Sequence, residues 1–333
     1  MAAAAHHRGT RRLPGGGGAG LLPAGPAQGR KRRRPLVILR RGKADLSLKR
    51  IAYLSHLQKQ LKNAGVDAPA FAVALLFERV FSVPRDQLHD LDAPLDEGDP
   101  AVRERMAVME KLVERRAGGY PLQYLLGEWE FFGLPFYVGE GVLIPRPDTE
   151  VVVERALFLL RGKSAPRVLD LCSGSGCIAV AIAQERPDSR VTAVELSEAA
   201  FGYLKRNVER HGGAVRPVWG DALDTGIVGG DFALIVSNPP YIRPEAMDSL
   251  QREVGYEPRM ALEAPERGLY FYREIAARWR ERLTPGGILL FEVGFDEAKE
   301  VAGILRAAGF TGVRSAKDYG GNDRAVWGHW GEK

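Results

Sequence analysis

The chain reads as an α/β protein, a mostly parallel sheet with helices on both faces, preceded by a small helical segment. Three observations carry this reading. From residue 167 onward, short apolar runs alternate with helical patterns, the signature of parallel strands joined by crossover helices. The first run, 167–171 (RVLDL), leads straight into a glycine-rich loop, Cys172-Ser173-Gly174-Ser175-Gly176. Ahead of the alternation, residues 45–119 carry helical periodicity instead.

A length of 333 residues allows one large or two modest domains with a sizeable core. No apolar run approaches the length of a bilayer span, so no membrane association is expected. Cys172 and Cys177 are too few for a disulfide framework and lack a Cys/His set for zinc, which points to a reducing, cytoplasmic setting and no metal. The net charge of +5 belongs to one end. Residues 1–43 hold eleven Lys/Arg and no acid, with a glycine run at 15–18 and the cluster Arg30-Lys31-Arg32-Arg33-Arg34. Such a segment buries too little apolar surface to offset ordering and is expected to be a disordered, incidental extension. It is acid-free and Arg-rich like a transit peptide, yet has no serine and no amphipathic period. The remaining residues count 36 bases against 42 acids, a mildly acidic body that argues against a polyanion-binding groove.

Within 45–119, Leu46, Ile51, Leu54, Leu57 and Leu61 fall near one face, and Gly65 supplies a stop. Asp67 with Pro69 opens a second helix through Phe81, and a turn is expected over 84–89. Asp99-Pro100 reads as a cap and first-turn proline for a third helix striped by Val102, Met106, Met109 and Val113, ending at Gly118-Gly119. Residues 120–141 read as a connector and a hairpin, with strands over 129–132 and 134–138 flanking Gly133. In Leu143-Ile144-Pro145-Arg146-Pro147-Asp148-Thr149-Glu150 the prolines hold an extended approach, Asp148 or Thr149 can cap the following helix, and Arg146 with Glu150 reads as a surface pair or cap.

The strands of the alternating region are expected over 168–171, 190–194, 215–218, 232–236, 287–293, 311–315 and 324–330. Helices are expected over 177–185, 197–211, 266–283 and 296–308. The last two strands have no helix between them and suggest an antiparallel edge.

The chemistry concentrates in two loops. Gly174, Gly176 and Ala179 match G-x-G-x-x-A, which lets backbone approach a ligand, and Glu195 ends the next strand, where a carboxylate can accept both ribose hydroxyls. These features fit a dinucleotide or S-adenosyl-L-methionine equally. The second loop, Asn238-Pro239-Pro240-Tyr241, ends the strand 232–236. Its prolines remove two backbone donors, so the carbonyls of Asn238 and Pro239 can hold a planar NH2 group while Tyr241 offers a ring face. An ordinary Asn-Pro turn with a packed Tyr would read the same in isolation. The pairing with the glycine loop favours methyl transfer to a planar nitrogen. Asp221-Ala222, after the third strand, is placed to accept from an adenine amine. Nothing near Cys172 or Cys177 activates a thiol.

These residues resemble the HemK/PrmC family of protein-glutamine N5-methyltransferases. The resemblance runs from near Asp45 to the C-terminus and is densest in Tyr120-Pro121-Leu122-Gln123-Tyr124, 143–150, 170–176, 238–242, Tyr256-Glu257-Pro258 and 318–324. It implies a class I, Rossmann-like methyltransferase with a seven-stranded sheet over 148–333, a hairpin linker over 120–147 and a helical substrate-binding domain over 44–119. It further implies that S-adenosyl-L-methionine methylates the glutamine of a Gly-Gly-Gln loop in peptide chain release factors, a step in translation termination. Carried over, Cys172, Ser173, Gly174, Ser175 and Gly176 cradle the methionine end, Glu195 the ribose, and Asp221 and Ala222 the adenine. Asn238, Pro239, Pro240 and Tyr241 hold the glutamine amide, with Asn238 also facing the co-substrate. Glu195 stands where the family more usually has Asp, and Gly294-Phe295-Asp296-Glu297 replaces a Gln-containing turn. Alternative acceptors are a ribosomal-protein glutamine and, in a different class, DNA adenine N6; a non-catalytic binding module is the third reading, against which the intact Asn-Pro-Pro-Tyr stands.

Overall fold

The computed structural model describes residues 47–83, 87, 90 and 93–331. The extension over 1–43 and most of the turn expected over 84–89 lie outside these residues.

Short strands β1 (Ser47–Lys49) and β2 (Pro94–Asp96) pair antiparallel, with Leu48 opposite Leu95. The helical reading of 45–119 misses them because three residues are too few to display a period. Helix α1 (Arg50–Asn63) buries Tyr53, Leu54, Leu57 and Leu61, whereas Ile51, expected on that face, is 43% exposed. Helix α2 (Pro69–Phe81) opens at Pro69 as expected, with no side chain capping it; Ala68, left-handed at φ 46°, makes the turn into it. Helix α3 (Pro100–Ala117) starts as expected, the Asp99 carboxylate accepting from the Ala101 amide at 2.8 Å. The three pack around Leu57, Leu61, Val73, Leu76, Phe77, Met109 and Val113.

The connector contains a short helix, α4 (Leu122–Leu126), and then the hairpin of β3 (Glu128–Phe131) and β4 (Leu134–Tyr137). Its two turn residues, Phe132 and Gly133, both have positive φ, 53° and 71°. That is the geometry a tight hairpin demands and a side chain resists. The Glu150 carboxylate accepts the Phe132 amide at 2.8 Å, so Glu150 serves the hairpin and does not pair with Arg146.

The alternating region builds one seven-stranded sheet. In chain order it runs α5 (Glu150–Leu159), β5 (Arg167–Leu171), α6 (Cys177–Glu185), β6 (Arg190–Glu195), α7 (Glu198–Arg210), β7 (Val215–Trp219), β8 (Phe232–Ser237), α8 (Tyr270–Trp279), β9 (Leu283–Glu292), α9 (Ala298–Ala307), β10 (Thr311–Lys317) and β11 (Asp323–Trp330). The spatial order is β10-β11-β9-β8-β5-β6-β7, parallel from β9 through β7 and antiparallel where β11 meets β9 and β10. Successive strand residues face opposite layers. Val168, Leu234 and Val236 pack with α5, α6 and α7, while Leu169, Ile235 and Phe291 pack with α8 and α9. The helix expected over 266–283 is shorter. Arg267 is left-handed at φ 59°, α8 begins only at Tyr270, and β9 starts at Leu283.

Asn207 ties hairpin and sheet together. Fully buried on α7, it accepts from the Tyr137 amide at 2.7 Å and donates to the carbonyls of Tyr137 and Ser175 at 3.1 and 2.9 Å. Replacing Asn207 with Ala strands these backbone groups without partners and is expected to cost about 3 kcal/mol in urea unfolding. A loss below about 0.5 kcal/mol, the range of an ordinary surface substitution, would refute the clamp.

Candidate active site

The chain runs outward from β5 to β6 and β7, then crosses to β8 on the other side of β5. Such a reversal opens a crevice at the carboxyl ends of the two diverging strands. Leu171 and Ser237 are register partners there, and the Ser237 hydroxyl donates to the Leu171 carbonyl at 2.8 Å. The next residue on each side is Cys172 and Asn238, so the two loops start from one fixed point.

A cavity of about 320 Å³ lies over this edge. Of the residues expected in the site, Cys172, Gly174, Glu195, Asp221, Ala222, Asn238 and Pro240 line it. Ser173 and Ser175 instead line an adjoining pocket of about 30 Å³ together with Arg146 and Thr149, and Asn238 borders both spaces. Gly176, Pro239 and Tyr241 lie outside both linings. Gly176, at φ 82°, packs under α7, where an added Cβ would sit 2.5 Å from Leu204 Cδ1. Pro239 is buried beneath the motif.

Glu195 shapes the loop that it faces. It is 9% exposed; one oxygen accepts the Gly174 amide at 2.8 Å and the other the Ser197 amide at 2.7 Å. Burial raises its pKa, and those amide bonds oppose the shift. Each oxygen retains a lone pair for a further donor. Asp221 is exposed and closes its own turn on the Leu223 amide at 2.8 Å, and the Ala222 carbonyl accepts the Trp279 indole at 2.7 Å. Burial drives the Cys172 thiol far up and the Cys177 thiol to about 12, which leaves both as neutral packing groups.

The amide-holding motif is braced from behind. The amides of Tyr241 and Ile242 donate to the Leu262 carbonyl at 3.1 and 2.7 Å, and the Ala264 amide returns a bond to Ile242 at 2.9 Å. Gly268, at φ 89°, is pressed so close that a Cβ would lie 2.2 Å from the Tyr241 carbonyl oxygen. The Tyr241 phenol is raised by burial and then by Glu292, with Arg324 and Arg146 opposing.

Several residues of this neighbourhood escape a reading of the sequence. Glu257, 6% exposed, accepts the Ile144 amide at 3.0 Å and pairs with Arg146, which overturns the expected Arg146–Glu150 pair. Neither Asp148 nor Thr149 caps α5. Asp148 pairs with Arg324 at 3.3 Å, and Thr149 is buried against Glu292. Arg324 also holds Asp318 at 3.2 Å. Glu297, in the departing turn, accepts weakly from the Gly294 amide at 3.3 Å and from the Tyr272 hydroxyl at 3.5 Å. Arg146–Glu257 and Asp148–Arg324 join segments both of which carry the family resemblance, the one signal that could have paired them.

Known proteins match along most of this length. A family model described as PrmC N-terminal domain matches residues 52–127, and one described as Methyltransferase small domain matches 155–255. A release factor glutamine methyltransferase of Geobacter sulfurreducens is 42% identical over 273 residues, covering 81% of this chain and 93% of that protein. One from Fusobacterium nucleatum is 38% identical over 291 residues, covering 85% and 80%. Among solved structures, the hMettl16 catalytic domain in complex with MAT2A 3′UTR hairpin 6 shares the fold, with TM-score 0.51, 18% identity, and coverage of 67% of this chain and 82% of that one.

Burial pushes Glu292 and Glu297 from the usual 4.5 up to about 7. Between those values the folded chain keeps protons that the unfolded chain has lost, so their contribution lowers stability as pH rises from 4.5 to about 7 and is constant above. Glu297→Gln removes one such ionisation. Its melting temperature relative to the parent is expected to be higher at pH 8 than at pH 5, where both side chains are neutral. An offset independent of pH would contradict this.

Proposed function

Since the chain belongs to the release factor glutamine methyltransferases, we propose that it transfers a methyl group from S-adenosyl-L-methionine to the side-chain amide N5 of the glutamine in the Gly-Gly-Gln motif of peptide chain release factors. One observation carries the site assignment: Asn238, together with Leu143, Cys172 and Gly174, lines both the 320 Å³ cavity and the smaller pocket beside Arg146. The cavity residues suit the co-substrate. Glu195 has lone pairs left for ribose hydroxyls, Ala222 and Leu196 offer apolar walls to an adenine, and Gly174 carries nothing within 4 Å of where a Cβ would stand. No metal enters this reading.

S-adenosylmethionine supplies a methyl group on a sulfonium, which departs as a neutral thioether. The burden on the chain is the nucleophile, because an amide nitrogen shares its lone pair with the carbonyl. In this reading the Asn238 side-chain oxygen and the Pro239 carbonyl accept the two N–H bonds, and Tyr241 packs its ring beside the amide. Pro239 and Pro240 have no N–H of their own to compete for those acceptors. Positioning replaces a bimolecular encounter. As the nitrogen gains charge its protons become more acidic, so the same two bonds tighten in the transition state, and one of the two protons is then released to water, leaving the neutral N-methyl amide.

Residues 44–119 then serve as the substrate-binding domain, 120–147 as the linker and 148–333 as the catalytic domain, acting in the cytoplasm on a release factor. Asn238→Ala is expected to lower turnover about ten- to a thousandfold, the scale of losing one preorganised polar contact. Wild-type turnover in the variant would remove Asn238 from this role. Mass spectrometry after incubation with S-adenosylmethionine is expected to show one added methyl on a release factor and none on its Gly-Gly-Ala variant. Modification confined to ribosomal protein or duplex DNA would replace the acceptor.

A further inference from the structure

One wall of the 320 Å³ cavity is a segment with little structure of its own. Pro258, Met260 and Ala261 face the cavity from a run of short 3-10 turns, Pro244–Ser249, Val254–Tyr256 and Arg259–Ala261, and none of these turns buries a side chain. Apolar burial therefore does not hold this wall in place. Polar contacts to distant parts of the chain do.

One set of those contacts meets the end of α3. Arg116 is 5% exposed, pairs with Glu253, and donates to the Tyr120 carbonyl at 3.2 Å. The Tyr256 hydroxyl donates to the Gly118 carbonyl at 3.3 Å, and its ring meets Tyr120 edge-on at 5.1 Å. Gly119, at φ 91°, has a backbone conformation that a side chain resists, and the Arg252 side chain packs over it, its Cδ 2.6 Å from where a Cβ would stand. The second anchor is Glu257 on Ile144 and Arg146. Glu253 is the carboxylate that balances the buried Arg116, so losing it leaves a charge that the interior does not tolerate.

We propose that Arg116 and Glu253 are positioning residues for the co-substrate: their ion pair latches the wall formed by 250–261 over the cavity and sets how fast S-adenosylmethionine leaves. Neither side chain lines the cavity; both act through Pro258, Met260 and Ala261. The inference rests on the function proposed above, in that the cavity holds this co-substrate. It adds that the helical segment, through the last turn of α3, governs residence at a site to which it contributes no lining residue.

The test measures S-adenosylmethionine binding by calorimetry and its dissociation rate by stopped flow in the full chain. Glu253→Gln keeps the shape and removes the charge, and is expected to raise Kd and the dissociation rate together by about tenfold, the scale of a typical coupling between sites. The exchanged pair Arg116→Glu with Glu253→Arg is expected to recover at least part of that loss. Glu128→Gln, which breaks the Arg210–Glu128 pair between hairpin and α7, is the control and leaves Kd unchanged. A Glu253→Gln protein with a lower melting temperature but the parent's dissociation rate would overturn the latch, as would equal loosening by the control. Should the parent itself bind no S-adenosylmethionine, the latch falls together with the co-substrate assignment, an outcome distinct from a tight parent and an unaffected variant.

Discussion

The parallel register of β5 against β8 is the constraint on which the rest of the site depends. Leu171 stands opposite Ser237, and the bond from the Ser237 hydroxyl to the Leu171 carbonyl locks the two strand ends at one level. Slipping either strand by one residue would turn its core side chains to the other face. It would also separate the glycine loop from Asn238. Chemistry that needs a methyl carbon and an amide nitrogen in line is thus underwritten by the two apolar layers that fix this register, Leu234 and Val236 below, Ile235 and Leu169 above.

What the layers cannot do is hold loops, and buried polar groups take over there. Asn207 joins β4 to the glycine loop, Glu257 joins 144–146 to the segment beyond the amide motif, and Arg116 joins α3 to the same segment. Each spans a long stretch of sequence and satisfies groups that would otherwise be stranded away from water. A hydrogen bond of this kind adds only about 1 kcal/mol net, whereas leaving its buried partner alone costs more. The clamps therefore specify one arrangement of loops more than they deepen its stability.

The central strands of the sheet were legible in advance because parallel strands buried on both faces must be apolar, as β5, β8 and the second half of β9 are, whereas the edge strands β7 and β10 leave most of their residues at least partly exposed. The two loops were legible through their position after such runs. The failures share a cause. Asp148 and Thr149 have the chemistry of helix caps, but Arg324 and Glu292 claim them. Glu150 stands near Arg146 in sequence, yet its partner is the Phe132 amide at the positive-φ turn of the hairpin. Choices of partner between segments far apart are made by tertiary structure, and local pattern carries no record of them. Asn207 looked like an ordinary residue of a helix for that reason.

The placement of β11 has a consequence for the order in which the sheet is made. β10 is synthesised before β11 yet, among the described residues, pairs with β11 alone, which slots between it and β9. While the chain is emerging, the parallel strands β5 to β9 can pair among themselves and assemble the crevice. β9 meanwhile presents an open edge of unpaired backbone groups, the kind that invites pairing with another chain. Insertion of β11 closes that edge and brings Arg324 to Asp148 at the entrance of α5. The crevice can therefore form before the β9 edge is covered, and the two antiparallel strands move the sheet's edge from buried, apolar β9 to exposed, polar β10.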